Sequence, residues 1–126
     1  MDVNNKFMKR CIELASDGIG RTYPNPLVGC VIVHNSIIIG EGSHQKYGFN
    51  HAEVNAINSV INHDLLKEST LYVNLEPCNH YGKTPPCTNS IIKSGISELV
   101  YSMEDIDKRV RGKSFKILSS KKIKVK

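Results

Sequence analysis

Two β-branched runs, residues 28–33 and 37–41, are separated only by His34-Asn35-Ser36. A connection that short joins antiparallel neighbours, so a hairpin is fixed before any other element is placed. After it the pattern changes. Residues 51–61 carry apolar side chains (Ala52, Val54, Ala56, Ile57, Val60, Ile61) at helical steps, and residues 70–75 read as a short buried strand. Pro85-Pro86 opens a helix over 88–93 that ends near Gly95, and residues 99–103 form another strand. Residues 5–16 predict a leading helix with Gly18 as its C-cap, residues 20–26 a loop, and residues 115–125 a short helix and an edge strand. A hairpin followed by helix-strand-helix-strand predicts an α/β protein, three layers α/β/α around a central mixed sheet.

The chain has 126 residues, enough for one core and not two. Its net charge of +5 is unevenly spread. Residues 108–126 hold nine Lys/Arg and no acid, whereas residues 1–107 carry eight positive against twelve negative charges, a net of −4. The body is therefore mildly acidic, which argues against a nucleic-acid-binding face, and the basic end reads as a solvated extension. Aromatic residues make up 6% with no Trp, leaving few platforms for stacking bases. No apolar run approaches membrane-spanning length, and the first residues lack the hydrophobic core of a secretion signal, so a cytoplasmic protein without membrane contact is expected.

Four cysteines spread this widely do not make a disulfide scaffold. Cys11 and Cys30 sit within apolar runs and read as small core residues. Cys78 and Cys87 each lie beside proline in a polar stretch. With His51 they offer three soft ligands for tetrahedral zinc and leave a fourth position for water, the pattern of a catalytic site. All three residues fall at element boundaries, where strand ends and helix starts gather on one edge of an α/β sheet. Glu53 follows His51 by two positions, about 200° around a helix. The two can share a site only if it lies off the helix's N-terminal end, where the carboxylate can take a proton from water and pass it to a departing amine. The plainer readings are a helix-capping histidine, a first-turn acid and two buried thiols.

Zinc nucleobase deaminases pair His-x-Glu with Pro-Cys-x-x-Cys. Here eight residues separate Cys78 from Cys87. With that insert, Leu75-Glu76-Pro77-Cys78-Asn79-His80-Tyr81-Gly82-Lys83-Thr84-Pro85-Pro86-Cys87, and with Thr22-Tyr23-Pro24-Asn25-Pro26-Leu27-Val28-Gly29-Cys30-Val31, Gly40-Glu41-Gly42-Ser43-His44 and His51-Ala52-Glu53-Val54, the chain resembles the bacterial riboflavin-biosynthesis deaminases that act on a diaminohydroxyphosphoribosylaminopyrimidine. The likeness runs from about residue 8 to 103.

The resemblance implies a cytidine deaminase-like fold. It implies a deaminase domain over 1–107 with a basic extension over 108–126 that completes the sheet edge or leads to a reductase. It also implies zinc (Zn2+) on His51, Cys78 and Cys87, with Glu53 as the catalytic proton shuttle. Asn25, His44, the Ala52 backbone, His80 and Lys83 would hold a phosphorylated pyrimidine. A reductase, fused or separate, would perform the next step, and a small α/β domain of this kind is expected to form homo-oligomers. Where this family has Asp-Pro-Asn-Pro after its last strand, the chain has Asp105-Ile106-Asp107-Lys108. The competing readings are a tRNA adenosine or cytidine deaminase, against which the insert argues, and a non-catalytic zinc-stabilised RNA-binding module.

Overall fold

The computed structural model describes residues 3–79, 85–104 and 111–126, with residues 3 and 4 described by their backbone alone. Helix α1 (Val3–Ala15) precedes the hairpin of β1 (Gly29–His34) and β2 (Ile37–Ser43). Then follow α2 (Ala52–Ser59), β3 (Thr70–Val73), α3 (Cys87–Ser94), β4 (Glu98–Tyr101), α4 (Lys113–Ser120) and β5 (Lys124–Val125). The sheet order is β2-β1-β3-β4-β5. β1 is antiparallel to both β2 and β3, while β3–β4 and β4–β5 are parallel. The expected mixed sheet is present.

The hairpin turns on two residues, Asn35 and Ser36, both at positive φ (50° and 64°). That is the turn geometry whose twist suits two right-handed strands. The register slips between Ile32 and Val33, where Ile32 faces Gly40 and Val33 faces Ile38. This bulge lies midway along the edge strand.

Alternation along β1 divides the interior into two cores. Val31 and Val33 face α1, packing with Phe7, Cys11 and Tyr72. Cys30 and Ile32 face the other side, where Ala56 and Ile57 of α2, Ile91 of α3 and Leu118 of α4 close over the sheet with Leu71, Val73 and Leu99. Among the described residues, one α-helix on one face and three on the other make the three layers. Cys11 and Cys30 are core residues as expected; burial pushes the Cys11 thiol up to about 12 and the Cys30 thiol well above its usual range.

Two glycines set how closely the layers approach. A Cβ at Gly29 would lie 1.9 Å from the Cys11 carbonyl oxygen, so α1 lies directly on β1 there. A Cβ at Gly42 would lie 2.4 Å from the Ala56 nitrogen and 2.6 Å from the Ala52 carbonyl oxygen, so β2 meets α2 backbone to backbone.

Some boundaries differ from expectation. β3 stops at Val73 rather than at residue 75 because the Asn74 side chain takes over from the ladder. Its Oδ1 accepts the Gly29 N–H at 2.8 Å and its Nδ2 donates to the Leu27 carbonyl at 3.1 Å. Gly18 is not a left-handed cap. It ends a 3-10 turn (Ser16–Gly18), buried where a Cβ would strike the His44 carbonyl at 2.5 Å, and the left-handed residue is Gly20 (φ 82°). A second 3-10 turn, His63–Glu68, buries Leu66 and has its start capped by Asn62 Oδ1, which accepts the Asp64 N–H at 3.1 Å.

Candidate active site

His51 is the N-cap of α2, extended at φ −73°, ψ 167°, and Glu53 is the second residue of that helix. The site thus lies off the helix's N-terminal end, as the two-residue spacing requires. Cys87 opens α3 behind Pro86, and Cys78 lies on the irregular exit from β3. The exits of β3 and the starts of α2 and α3 meet at one edge of the sheet, and the three ligand-type residues meet with them.

His51 Nδ1 is 3.2 Å from Cys87 Sγ and 3.6 Å from Cys78 Sγ, and all three donor atoms lie within 4.8 Å of one another. Zinc bonds of about 2.1 Å to nitrogen and 2.3 Å to sulfur, at tetrahedral angles, set such atoms about 3.5–3.8 Å apart. One imidazole and two thiols at these separations fit the ion. The Cys87 backbone N–H donates to Cys78 Sγ at 3.2 Å. The Cys87 side chain and then His51 pull the Cys78 thiol down against the cost of its burial. Cys87 is pushed up, first by Cys78 and then by burial. His51 is raised by its bond to Cys78.

Glu53 is 3% exposed. Burial first, and the Cys78 charge second, push its carboxyl up to about 7. A carboxyl poised near neutrality both accepts and returns a proton with little penalty, the property an acid–base shuttle needs.

A cavity of about 130 Å³ is lined by Asn25, Pro26, Val28, His44, His51, Glu53, Leu75, Glu76 and Cys78. Here one histidine fixes the orientation of one amide. His44 Nδ1 lies 3.1 Å from the Asn50 carbonyl, which can only accept, so the proton is on Nδ1. Nε2 is then an acceptor, and Asn25 Nδ2, 3.1 Å away, donates to it. Burial lowers the His44 pKa and keeps this tautomer neutral. The Asn25 amide oxygen is left to accept.

Asn25, His44, His51, Glu53 and Cys78 thus share one cavity, with Cys87 buried beside it. Ala52 is fully buried in the first turn of α2. His80, Lys83 and residues 105–108 lie outside the described residues. Glu76 also lines the cavity, 2% exposed, and its only signal in the sequence was its place before Pro77-Cys78. Asn50, whose carbonyl sets the His44 tautomer, carried none, because a backbone contact leaves no mark on side-chain identity.

Residues 1–103 match the model of the cytidine and deoxycytidylate deaminase zinc-binding region. A diaminohydroxyphosphoribosylamino-pyrimidine deaminase of Buchnera aphidicola subsp. Schizaphis graminum is 52% identical over 120 residues, covering 95% of this chain and 80% of that protein. The riboflavin biosynthesis protein RibD of Bacillus amyloliquefaciens is 50% identical over 120 residues, 95% of this chain but 32% of the relative. Among solved structures, Acinetobacter baumannii RibD superposes with a TM-score of 0.93 at 42% identity, covering 98% of this chain and 34% of that one. The chain therefore spans most of the Buchnera protein and about a third of the RibD chains. With this cavity and these likenesses together, the chain belongs to the zinc-binding cytidine and deoxycytidylate deaminase family and, within it, to the diaminohydroxyphosphoribosylamino-pyrimidine deaminases of riboflavin biosynthesis.

Proposed function

We propose that the chain is a zinc-dependent aminohydrolase that converts 2,5-diamino-6-(5-phosphoribosylamino)pyrimidin-4-one and water into 5-amino-6-(5-phosphoribosylamino)uracil and ammonia. The observation that carries this reading is the buried Glu53 carboxyl in the first turn of α2, lining a cavity with His51 and Cys78 while Cys87 completes the three donor atoms beside it. The name of the Buchnera relative supplies the substrate class, and that of the Bacillus relative the pathway. His51, Cys78 and Cys87 would hold the zinc, which as a Lewis acid makes water nucleophilic near neutral pH.

The protein's residues perform the proton chemistry and the binding. Glu53 carboxylate takes a proton from the water that attacks the amino-bearing ring carbon. As a carboxylic acid it then donates to the departing nitrogen, so the C–O bond forms, the C–N bond breaks and ammonia leaves. Asn25 Oδ1 accepts from a ring or amino N–H, because its amide nitrogen is already committed to His44. The first-turn backbone at Ala52 offers an N–H to the pyrimidine. His80 and Lys83, in the insert, receive the ribose-phosphate end, where a cation matches a dianionic phosphate. The four free cysteines suit the cytoplasm, where thiols stay reduced. A reductase, fused or separate, takes the product onward, as the name of the Thermotoga maritima deaminase/reductase suggests.

Glu53→Gln keeps the cavity's shape but removes the proton carrier. The variant is expected to retain one zinc per chain by metal analysis and to lose at least about 100-fold in turnover. Near-normal turnover would refute the role of Glu53.

A further inference from the structure

Cys78 needs to be held still, yet it belongs to no helix or strand. From one side it is fixed by the start of α3: Cys87 N–H donates to its sulfur and Thr88 N–H to its carbonyl, each at 3.2 Å. From the other side it is fixed by the far end of the chain. The Glu76 N–H donates to the Met103 carbonyl at 2.8 Å, and the Gly112 N–H donates to Glu76 Oε1 at 3.1 Å. Ser114, in the first turn of α4, is 1% exposed. Its hydroxyl donates to the Pro77 carbonyl and accepts from Asn79 Nδ2 at 3.3 Å. One buried hydroxyl thus contacts the residue before Cys78 and the residue after it.

We propose that the first turn of α4 is a positioning element of the metal centre, with Ser114 as its central residue, so that residues 111–126 belong to the deaminase unit and do not merely follow it. This rests on the reading of His51, Cys78 and Cys87 as metal ligands. The oxygen that Ser114 holds belongs to the peptide joining Pro77 to Cys78. Fixing that plane, and the side chain at 79, fixes the direction in which Cys78 presents its sulfur. Groups that orient metal ligands from behind govern affinity: their loss costs about 10–100-fold.

Ser114→Ala deletes the hydroxyl and leaves the helix apolar contacts in place. Leu118→Ala, or Leu118→Val if that variant does not fold, removes core packing from the same helix without touching the 76–79 segment. Zinc affinity by chelator competition is expected to fall about 10–100-fold in Ser114→Ala, with a weakened thiolate-to-metal band in its cobalt form. The Leu118 variant is expected to lose thermal stability but keep wild-type zinc affinity and the wild-type cobalt spectrum. In the metal-free chain, hydrogen exchange over residues 76–79 is expected to quicken in Ser114→Ala and not in the Leu118 variant. Wild-type affinity together with wild-type exchange in Ser114→Ala would overturn the proposal, as would equal losses in the Leu118 variant. A wild-type chain that bound no zinc would instead refute the metal reading, and the exchange comparison would still decide the role of Ser114.

Discussion

The chemistry of this site depends on pairs of residues that set each other's state. His44 is neutral and Nδ1-protonated because Asn50 offers only an acceptor, and that tautomer turns Asn25. Glu53 is protonated at higher pH than an exposed acid because it is buried beside Cys78. The candidate ligands and Glu53 were legible in the sequence because their chemistry depends on residue type and their spacing on helix geometry. The place of Glu76 in the cavity lining and the carbonyl of Asn50 were not, since cavity lining and backbone contacts follow from the tertiary path. A further pair, outside the site, can be tested through pH. Arg10 Nε donates to Glu41 Oε2 at 2.6 Å and Nη2 to Oε1 at 3.1 Å, tying α1 to β2. The Arg10 bond holds the Glu41 carboxyl below its usual range. A carboxyl lowered in the folded state contributes stability above its unfolded pKa, and the contribution is lost as pH falls through its folded pKa. Both side chains are more than a third exposed or nearly so, so Arg10→Met is expected to cost only about 0.5–1 kcal/mol at pH 7 in urea unfolding. The gap between variant and wild type is expected to close as pH drops below the carboxylate range; a gap independent of pH would assign the loss to packing of the arginine stem.

Among the elements, the hairpin and the later alternation were legible because β-branched runs and helical spacing do not resemble each other. Two deviations have local causes. The Asn74 side chain imitates a strand partner and shortens β3, which an Asn in an otherwise extended run does not announce. Gly18 serves close packing rather than chain reversal, and composition alone does not separate those two uses of glycine. Gly42 connects packing to chemistry. A methyl group there would press against the backbone of α2 at Ala52 and Ala56, and neither atom can yield without moving the helix that begins at His51. Gly42→Ala is therefore expected to cost about 1–3 kcal/mol in unfolding free energy and to lower turnover in the protein that remains folded. Unchanged turnover alongside the stability loss would mean that the α2 N-terminus is anchored independently of β2.

At the scale of the molecule, the sheet collects on one edge residues that lie far apart in sequence. Position 25 comes from the loop before β1, 44 from the end of β2, 51 and 53 from α2, 78 from the exit of β3 and 87 from α3. The segment that carries the basic residues near the C-terminus packs into the fold while its described charges stay exposed: α4 buries Ser114 and Leu118, and β5 extends the sheet beside β4 with Lys126 paired to Glu98 at 2.9 Å. Among the described residues no helix is long and apolar enough to cross a membrane. The most direct test of the proposed activity is ammonia release by the purified, zinc-loaded chain, offered freshly prepared diaminopyrimidine ribosylamine phosphate alongside cytidine and tRNA. Stoichiometric ammonia from the first substrate, and none from the other two, is the expected result. Ammonia from cytidine or tRNA, with none from the diaminopyrimidine, would contradict the assignment of the substrate.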